Sequence, residues 1–251
     1  MSVLISTYNN PRFLKICLES YRRQTYKDFE IIITDDGSDS RTGELIRRFQ
    51  KGCAQNIRHV WQEDKGFRLA GVRNRGISVA AGEYLFFTDQ DCIADKELLD
   101  KHTRQAAKGW IRQGKRRLIS KKKTARLLTL SPEQAGDLDF QKISHPHHFE
   151  SFFVNSIMLR FGALVASNLS GFKEDFLEAG QFDESYTGWG AEDFDLGFRL
   201  RKNKKRLSFM RHGPSVYHLH HLSRRNLFNS NYRRLYRKML RDSINNYRKP
   251  L

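Results

Sequence analysis

No stretch of this 251-residue chain approaches the ~18 to 20 uninterrupted apolar residues of a bilayer span, so no part of it is expected to cross a membrane. Cysteine is scarce. Cys17, Cys53 and Cys92 are scattered and odd in number, which argues against a disulfide framework or a zinc site and suits a reducing compartment. Met1 runs straight into Val3-Leu4-Ile5 without the basic n-region, apolar h-region and cleavage site of a secretory leader, and a cytoplasmic location is the expectation. Acids are nearly missing from long stretches. Residues 201–251 hold 15 Lys or Arg against one acid, Asp242, and residues 101–126 hold 11 basic residues and none. Blocks of this kind, in a chain of net charge +17, imply an anionic partner: nucleic acid, an acidic membrane surface or a phosphorylated substrate.

What is present is the composition of a folded globular protein, with 39% hydrophobic and 12% aromatic residues and enough length for one large α/β domain. Val3 to Ser6 reads as a strand that stops at the polar cluster Thr7-Tyr8-Asn9-Asn10-Pro11. Leu14, Cys17, Leu18 and Tyr21 then recur at helical spacing. Phe29 to Thr34 is a second strand, ending in Asp35-Asp36-Gly37-Ser38. Ser40 to Phe49 reads as a helix and Ile57 to Trp61 as a third strand. Polar residues thus stand at the carboxyl ends of strands, where open α/β sheets bind ligands. Lys65 to Gly76 carries three glycines and three arginines before a helix that ends near Gly82, a composition suited to a diphosphate. Tyr84-Leu85-Phe86-Phe87-Thr88 is a buried strand that ends on Asp89-Gln90-Asp91. Carboxylates at i and i+2 share one side of an extended chain and suit a hard divalent cation whose remaining ligands are oxygens.

In this order, strand-Thr-Tyr-Asn-Asn, strand-Asp-Asp-Gly-Ser, Leu-Ala-x-x-Arg-Asn-x-Gly and strand-Asp-x-Asp, the first hundred residues resemble a family 2 glycosyltransferase of the GT-A fold. The resemblance implies a single Rossmann-like mixed sheet flanked by helices and a nucleotide-sugar site at Thr7, Tyr8, Asn9, Asp36, Arg68, Arg73, Asp89 and Gln90. Within it Thr7, Tyr8 and Asn9 flank the base, Asp36 holds uracil or ribose, Arg73 meets the diphosphate, and Asp89 with Asp91 handles ribose and metal.

Residues 101 to about 160 carry weaker signals. Trp110–Gly114 and Leu118–Ser120 suit strands of the sheet's second half; His145, His147 and His148 sit in a polar, loop-like run and are assigned no chemistry. Further on, Gly180-Gln181-Phe182-Asp183-Glu184 leads to Gly188-Trp189-Gly190-Ala191-Glu192-Asp193, a glycine-flanked tryptophan before a helix opening on acids. Acids suit a first helical turn, but Trp189 has no part in capping; a tryptophan stacks on a sugar face and a carboxylate beside it takes a hydroxyl proton. The stretch resembles the Gly-Trp-Gly-x-Glu-Asp motif of the β-1,4-galactosyltransferase C-terminal region and of chondroitin-polymerase-like transferases. That resemblance makes Asp193 the catalytic base and Glu192, Trp189 and Gly190 acceptor-binding residues.

Val216 to His221 is an extended segment with histidines at i and i+2. In the resembled families a histidine after this motif completes the metal site with Asp91; His218 is the first candidate and His221 the second, and spacing does not choose between them. From Ser223 onward, Phe228, Tyr232, Leu235 and Met239 are interleaved with arginines, an amphipathic basic helix. The expected organisation is a domain over 1–222, with a donor half 1–100 and an acceptor half 101–222, and an appended helix over 223–251 that packs on the domain as ordinary core or also lies on an anionic membrane.

The implied activity is an inverting transfer of a hexose or N-acetylhexosamine, galactose-type first, from a UDP-sugar with Mn2+ or Mg2+ to a hydroxyl of a cell-surface glycan or glycolipid such as lipopolysaccharide or capsule. One base suffices for inversion, and no second nucleophile is evident. A nucleic-acid-binding protein would explain the charge but leave the ordered acidic motifs unused, so no specific nucleic acid is expected. An inactive scaffold would not need the acids at Asp91 and Asp193.

Overall fold

The computed structural model describes residues 1–131, 134–135, 138–146, 158–159, 161–210, 215–222 and 229–247. His147, His148 and Phe228 lie outside them. The first half is a repeating strand-helix unit: β1 (Ser2–Thr7), α1 (Pro11–Arg22), β2 (Glu30–Asp35), α2 (Ser40–Gly52), β3 (Ile57–Trp61), α3 (Leu69–Val79) and β4 (Tyr84–Asp89). Local chemistry sets the starts. The Asn10 carboxamide accepts from the Phe13 amide with Pro11 in the first turn, and the Asp39 carboxylate accepts from the Arg41 amide. Thereafter come β5 (Cys92–Ala94), α4 (Leu98–Arg104), β6 (Trp110–Gln113), β7 (Lys115–Ile119), α5 (Lys121–Leu127), α6 (Phe140–Ile143), β8 (Ser144–Pro146) and, after a single 3-10 turn at Ala166–Asn168, β9 (Leu169–Phe172). The described elements end with α7 (Lys173–Glu178), α8 (Glu192–Lys202), β10 (Arg206–Phe209), β11 (Ser215–His218) and α9 (Ser230–Tyr247).

Seven strands form the central mixed sheet, in the order β10-β6-β9-β4-β1-β2-β3. β1 pairs in parallel with β2 on one side and β4 on the other, so the strand order reverses there, at the place where open α/β sheets bind ligands. Alternation along the strands fills two cores. Leu4, Ile32, Leu85 and Phe87 pack towards Ala70 and Ile77 of α3; Val3, Ile5, Ile31 and Ile33 pack towards Leu14 and Leu18 of α1 and Ile46 of α2.

The expected single sheet is joined by a second, four-stranded one, β5-β11-β7-β8. Trp110–Gln113 enters the central sheet as expected, whereas β7 turns away at Gly114 and pairs with β11. Gly114 marks that corner: a side chain there would run into Asn168. Behind it runs a buried polar chain. The hydroxyl of Tyr84 bonds Ser170, Ser170 bonds His102 Nδ1, His102 Nε2 meets the Asn168 carbonyl, and the Asn168 amide donates to Lys115 O.

Helix α9 does not stand apart. Its Tyr232 and Leu235 are buried with Tyr186 and Ala191, with Trp189, Phe194 and Met239 packed against them. The apolar face thus packs on the domain, as one of the two expectations had it, against the Gly188–Gly190 loop and α8. No helix among the described residues is long and apolar enough to cross a membrane.

Candidate functional site

Parallel register brings the ends of β1 and β4 together, since Ser6 lies beside both Thr34 and Asp89. Thr7 Oγ1 donates to Gln90 Oε1 at 2.5 Å, and Gln90 Nε2 donates to Tyr8 O at 2.9 Å. Asn9, held at a positive φ of 43°, accepts from the Asp39 amide and donates its own amide to Ser38. Asp36 is buried, accepting from Gln62 Nε2 at 2.5 Å and from the Arg68 amide at 2.7 Å. Tyr8 remains open on the rim, its hydroxyl donating to Asp64. The Arg68 guanidinium reaches the Glu63 carbonyl, and its Nε is buried with no hydrogen-bond partner.

Arg73 joins two parts of the site. Its side chain is 2% exposed, and Nε donates to Ser6 Oγ at 3.2 Å, Nη2 to Asp89 Oδ1 at 3.1 Å and Nη1 to Asp193 Oδ1 at 2.9 Å. In this arrangement one buried guanidinium ties two carboxylates together. Asp193 is held on both oxygens, with Oδ2 accepting from the Ala166 amide at 3.0 Å. Glu192 lies beside it, 3.7 Å from Arg73 Nη1, with Oε2 buried and without a hydrogen-bond partner. Burial first, and the neighbouring Asp193 charge second, push its carboxyl up to about 7 against the attraction of Arg73.

Asp91 lies across from this pair. Its Oδ2 is 3.3 Å from His218 Nε2 and 2.9 Å from His221 Nε2, so both candidate histidines reach it. Burial opposes its ionisation, but the two imidazoles hold it well below the ordinary carboxylate range. The alignment arises because β11 pairs antiparallel with β5, setting His218 opposite Cys92, and the Leu219 amide donates to Asp91 O. The three ligand atoms lie within 4.8 Å of one another and converge, which fits a divalent cation with positions left for other oxygens. A carboxylate with two imidazoles suits Mn2+ better than Mg2+, whose preference is for oxygen alone. Among the described residues the other such grouping, Asp89, Asp91 and Cys92, shares the same Asp91, and neither includes His145.

The Gly188–Gly190 loop is shaped by backbone that ordinary residues resist. Gly188 and Gly190 have φ of 79° and 92°, and Ala191, at φ 76°, opens α8 from the left-handed region. Side chains at the start of α9 hold it in place. Asn229 Nδ2 donates to Trp189 O at 2.6 Å, Asn231 Nδ2 donates to Thr187 O at 3.0 Å and Gly188 O at 3.3 Å, and Tyr232 lies 6.1 Å from the Trp189 ring. Beneath them the fully buried Asp195 accepts from Arg199 Nε at 2.7 Å and Lys238 Nζ at 2.5 Å. Amide side chains thirty or more residues beyond the loop carry no local spacing signal, so only the folded chain reveals them.

The chain matches the family model described as glycosyl transferase family 2 over residues 2–159, and that described as the N-terminal domain of galactosyltransferase over residues 146–222. It is 33% identical over 219 residues to a validoxylamine A glucosyltransferase of Streptomyces hygroscopicus subsp. jinggangensis, covering 80% of this chain and 51% of that protein. It is 30% identical over 222 residues to a chondroitin synthase of Escherichia coli, covering 80% of this chain and 32% of the synthase. The chain thus spans about half the length of the first of these relatives and less of the second. Among solved structures, S. aureus TarS 1–349 in complex with UDP-GlcNAc superposes with a TM-score of 0.65 at 17% identity, over 88% of this chain and 59% of that one. The mannosyltransferase PcManGT from Pyrobaculum calidifontis, in complex with GDP-Man and Mn2+, superposes with a TM-score of 0.61 at 17% identity, over 90% of this chain and 57% of that one. The shared architecture is the GT-A α/β fold.

Proposed function

Because the chain belongs to glycosyl transferase family 2, we propose that the site transfers a hexosyl or N-acetylhexosaminyl group from a UDP-sugar to a hydroxyl of a glycan or glycolipid, with inversion. The observation that carries this reading is Arg73, one buried side chain in contact with Asp89 at the end of β4 and with Asp193 at the start of α8. It sets the strand-end acids and the tryptophan-loop acids within one guanidinium of each other, as a reaction between two bound substrates requires. The ligands of the two structural neighbours, UDP-GlcNAc and GDP-Man with Mn2+, support a nucleotide-sugar donor. The chondroitin synthase likeness supports a saccharide hydroxyl as acceptor.

In this mechanism the nucleotide lies along Thr7, Tyr8, Asn9 and Asp36, with Tyr8, exposed on the rim, free to turn onto a base. Asp91, His218 and His221 would hold the cation, which supplies charge neutralisation at the departing diphosphate. Trp189 offers an apolar face to the acceptor sugar. Asp193 takes the hydroxyl proton, its charge kept in place by Arg73 and the Ala166 amide, while Glu192 accepts or donates a second hydrogen bond. Calorimetric titration with UDP, with and without Mn2+, tests the donor site: binding should require the metal and vanish in Asp91→Ala. Asp193→Asn should bind UDP as the parent does yet lose about 10²- to 10⁴-fold in transfer. Transfer undiminished in that variant, or UDP binding indifferent to both metal and Asp91, would sink the reading.

A further inference from the structure

Helix α9 has two apolar stripes, and only one of them is used by the fold. Asn231, Tyr232, Leu235 and Met239 face inward onto the acceptor loop. On the opposite side, Arg233, Tyr236, Arg237, Leu240 and Arg241 recur at intervals of three, one, three and one, which at 3.6 residues per turn forms one outward stripe. All five are exposed, Tyr236 to 55% and Leu240 to 63%. The helix's one acid in the described side chains, Asp242, is bound to Lys202 at 2.9 Å and does not offset the arginines. This is a cationic surface with an aromatic and an aliphatic side chain set between its charges.

We infer that the outward face of α9 binds an anionic lipid surface, with Arg233, Arg237 and Arg241 at the headgroups and Tyr236 and Leu240 in the boundary below them. Charge complementarity selects an anionic partner, and the interleaved Tyr236 and Leu240 select a bilayer over a nucleic acid. A phosphodiester backbone has no use for an exposed leucine, whereas an interfacial helix gains from burying it. Arg234 and Lys238 are not in the stripe; they turn back to Ser185 and to Asp183 and Asp195. The surface is independent of the reading of the reaction, since it makes no use of donor, metal or base.

Co-sedimentation with vesicles of phosphatidylcholine, with and without phosphatidylglycerol, tests it on the full chain. The parent should bind the anionic vesicles and leave the neutral ones. Replacing Arg233, Arg237 and Arg241 together by Gln should weaken that binding about a hundredfold, from roughly 1 kcal/mol for each charge near the surface. Tyr236→Ser with Leu240→Ser keeps every charge and should weaken it about tenfold or more. Both variants change exposed side chains only, and an unaltered near-ultraviolet dichroism spectrum verifies their fold. Equal binding to neutral and anionic vesicles, or no vesicle binding, overturns the inference. So does a Tyr236/Leu240 variant that binds as the parent does, because the face would then be purely electrostatic and open to a nucleic acid.

Discussion

Arg73 holds two acids that would otherwise repel each other across the site, and its removal leaves Asp89 and Asp193 partly buried and uncompensated. Arg73→Met should therefore cost about 3 to 5 kcal/mol of stability, measured by urea unfolding, and no surface arginine of the basic blocks should cost as much. Glu192 gives a pH signature. Its folded carboxyl is raised from 4.5 to about 7, so the native state keeps a proton that the unfolded chain releases, and stability falls as pH rises across that window. His102 acts the other way: burial lowers its imidazole to about 4, so its contribution grows from about pH 4 to 6.5. Arg73, Asp193, Asp89 and Tyr232 surround Glu192 and are retained in Glu192→Gln, so the comparison isolates one group. The melting temperature of Glu192→Gln should fall less between pH 5 and 8 than the parent's; an identical fall would refute the shift. At this scale local motif spacing singled out Asp89-Gln90-Asp91 and Glu192-Asp193. That Arg73 joins Asp89 to Asp193 was not legible, because burial and long-range contact are invisible in a linear motif.

The Gly188–Gly190 loop and α9 form one mechanical unit. Gly190 sits so close to Tyr232 that a Cβ there would lie 2.8 Å from Cε2, at a φ of 92° that L-residues resist. Gly190→Ala should destabilise the protein by about 1 to 3 kcal/mol and move the loop. Asn231→Ala should lower transfer while leaving UDP affinity unchanged, read by calorimetry beside a transfer assay; a parallel loss of UDP binding would mean that the loop is not confined to the acceptor side. The helix itself was legible from its apolar spacing, and so were β1 to β4, where alternation and turn residues agree. The four-stranded sheet was not: β5 and β8 are three residues long, and β11, though legible as an extended segment, pairs with β5 across more than 120 residues of chain.

Across the whole molecule the two basic blocks have different fates. Lys101–Arg126 contributes β6 and β7, with Arg112 over Trp110 at 4.3 Å and bonded to Ser208 and the Gln105 carbonyl, so part of that charge serves packing. On α9, Arg233, Arg237 and Arg241 face outward, Lys238 turns in to Asp195, and the inner face completes the core. A version ending after Leu222 should thus keep UDP affinity but expose Tyr186 and Ala191, detected as a rise in hydrophobic-dye binding; a truncated protein with no such rise would show that α9 is dispensable to the core. The first hundred residues and the later part of the chain each carry their own motif, but their interleaving in one sheet was not legible. β9, from the second half, lies against β4, and the two are separated by some 80 residues of chain. At about 5 to 20 residues per second, a ribosome needs roughly 4 to 16 s to make that intervening length. For that time Tyr84-Leu85-Phe86-Phe87 stands as a bare edge beside β1, β2 and β3, which are already made, open to any strand that arrives before its own partner does.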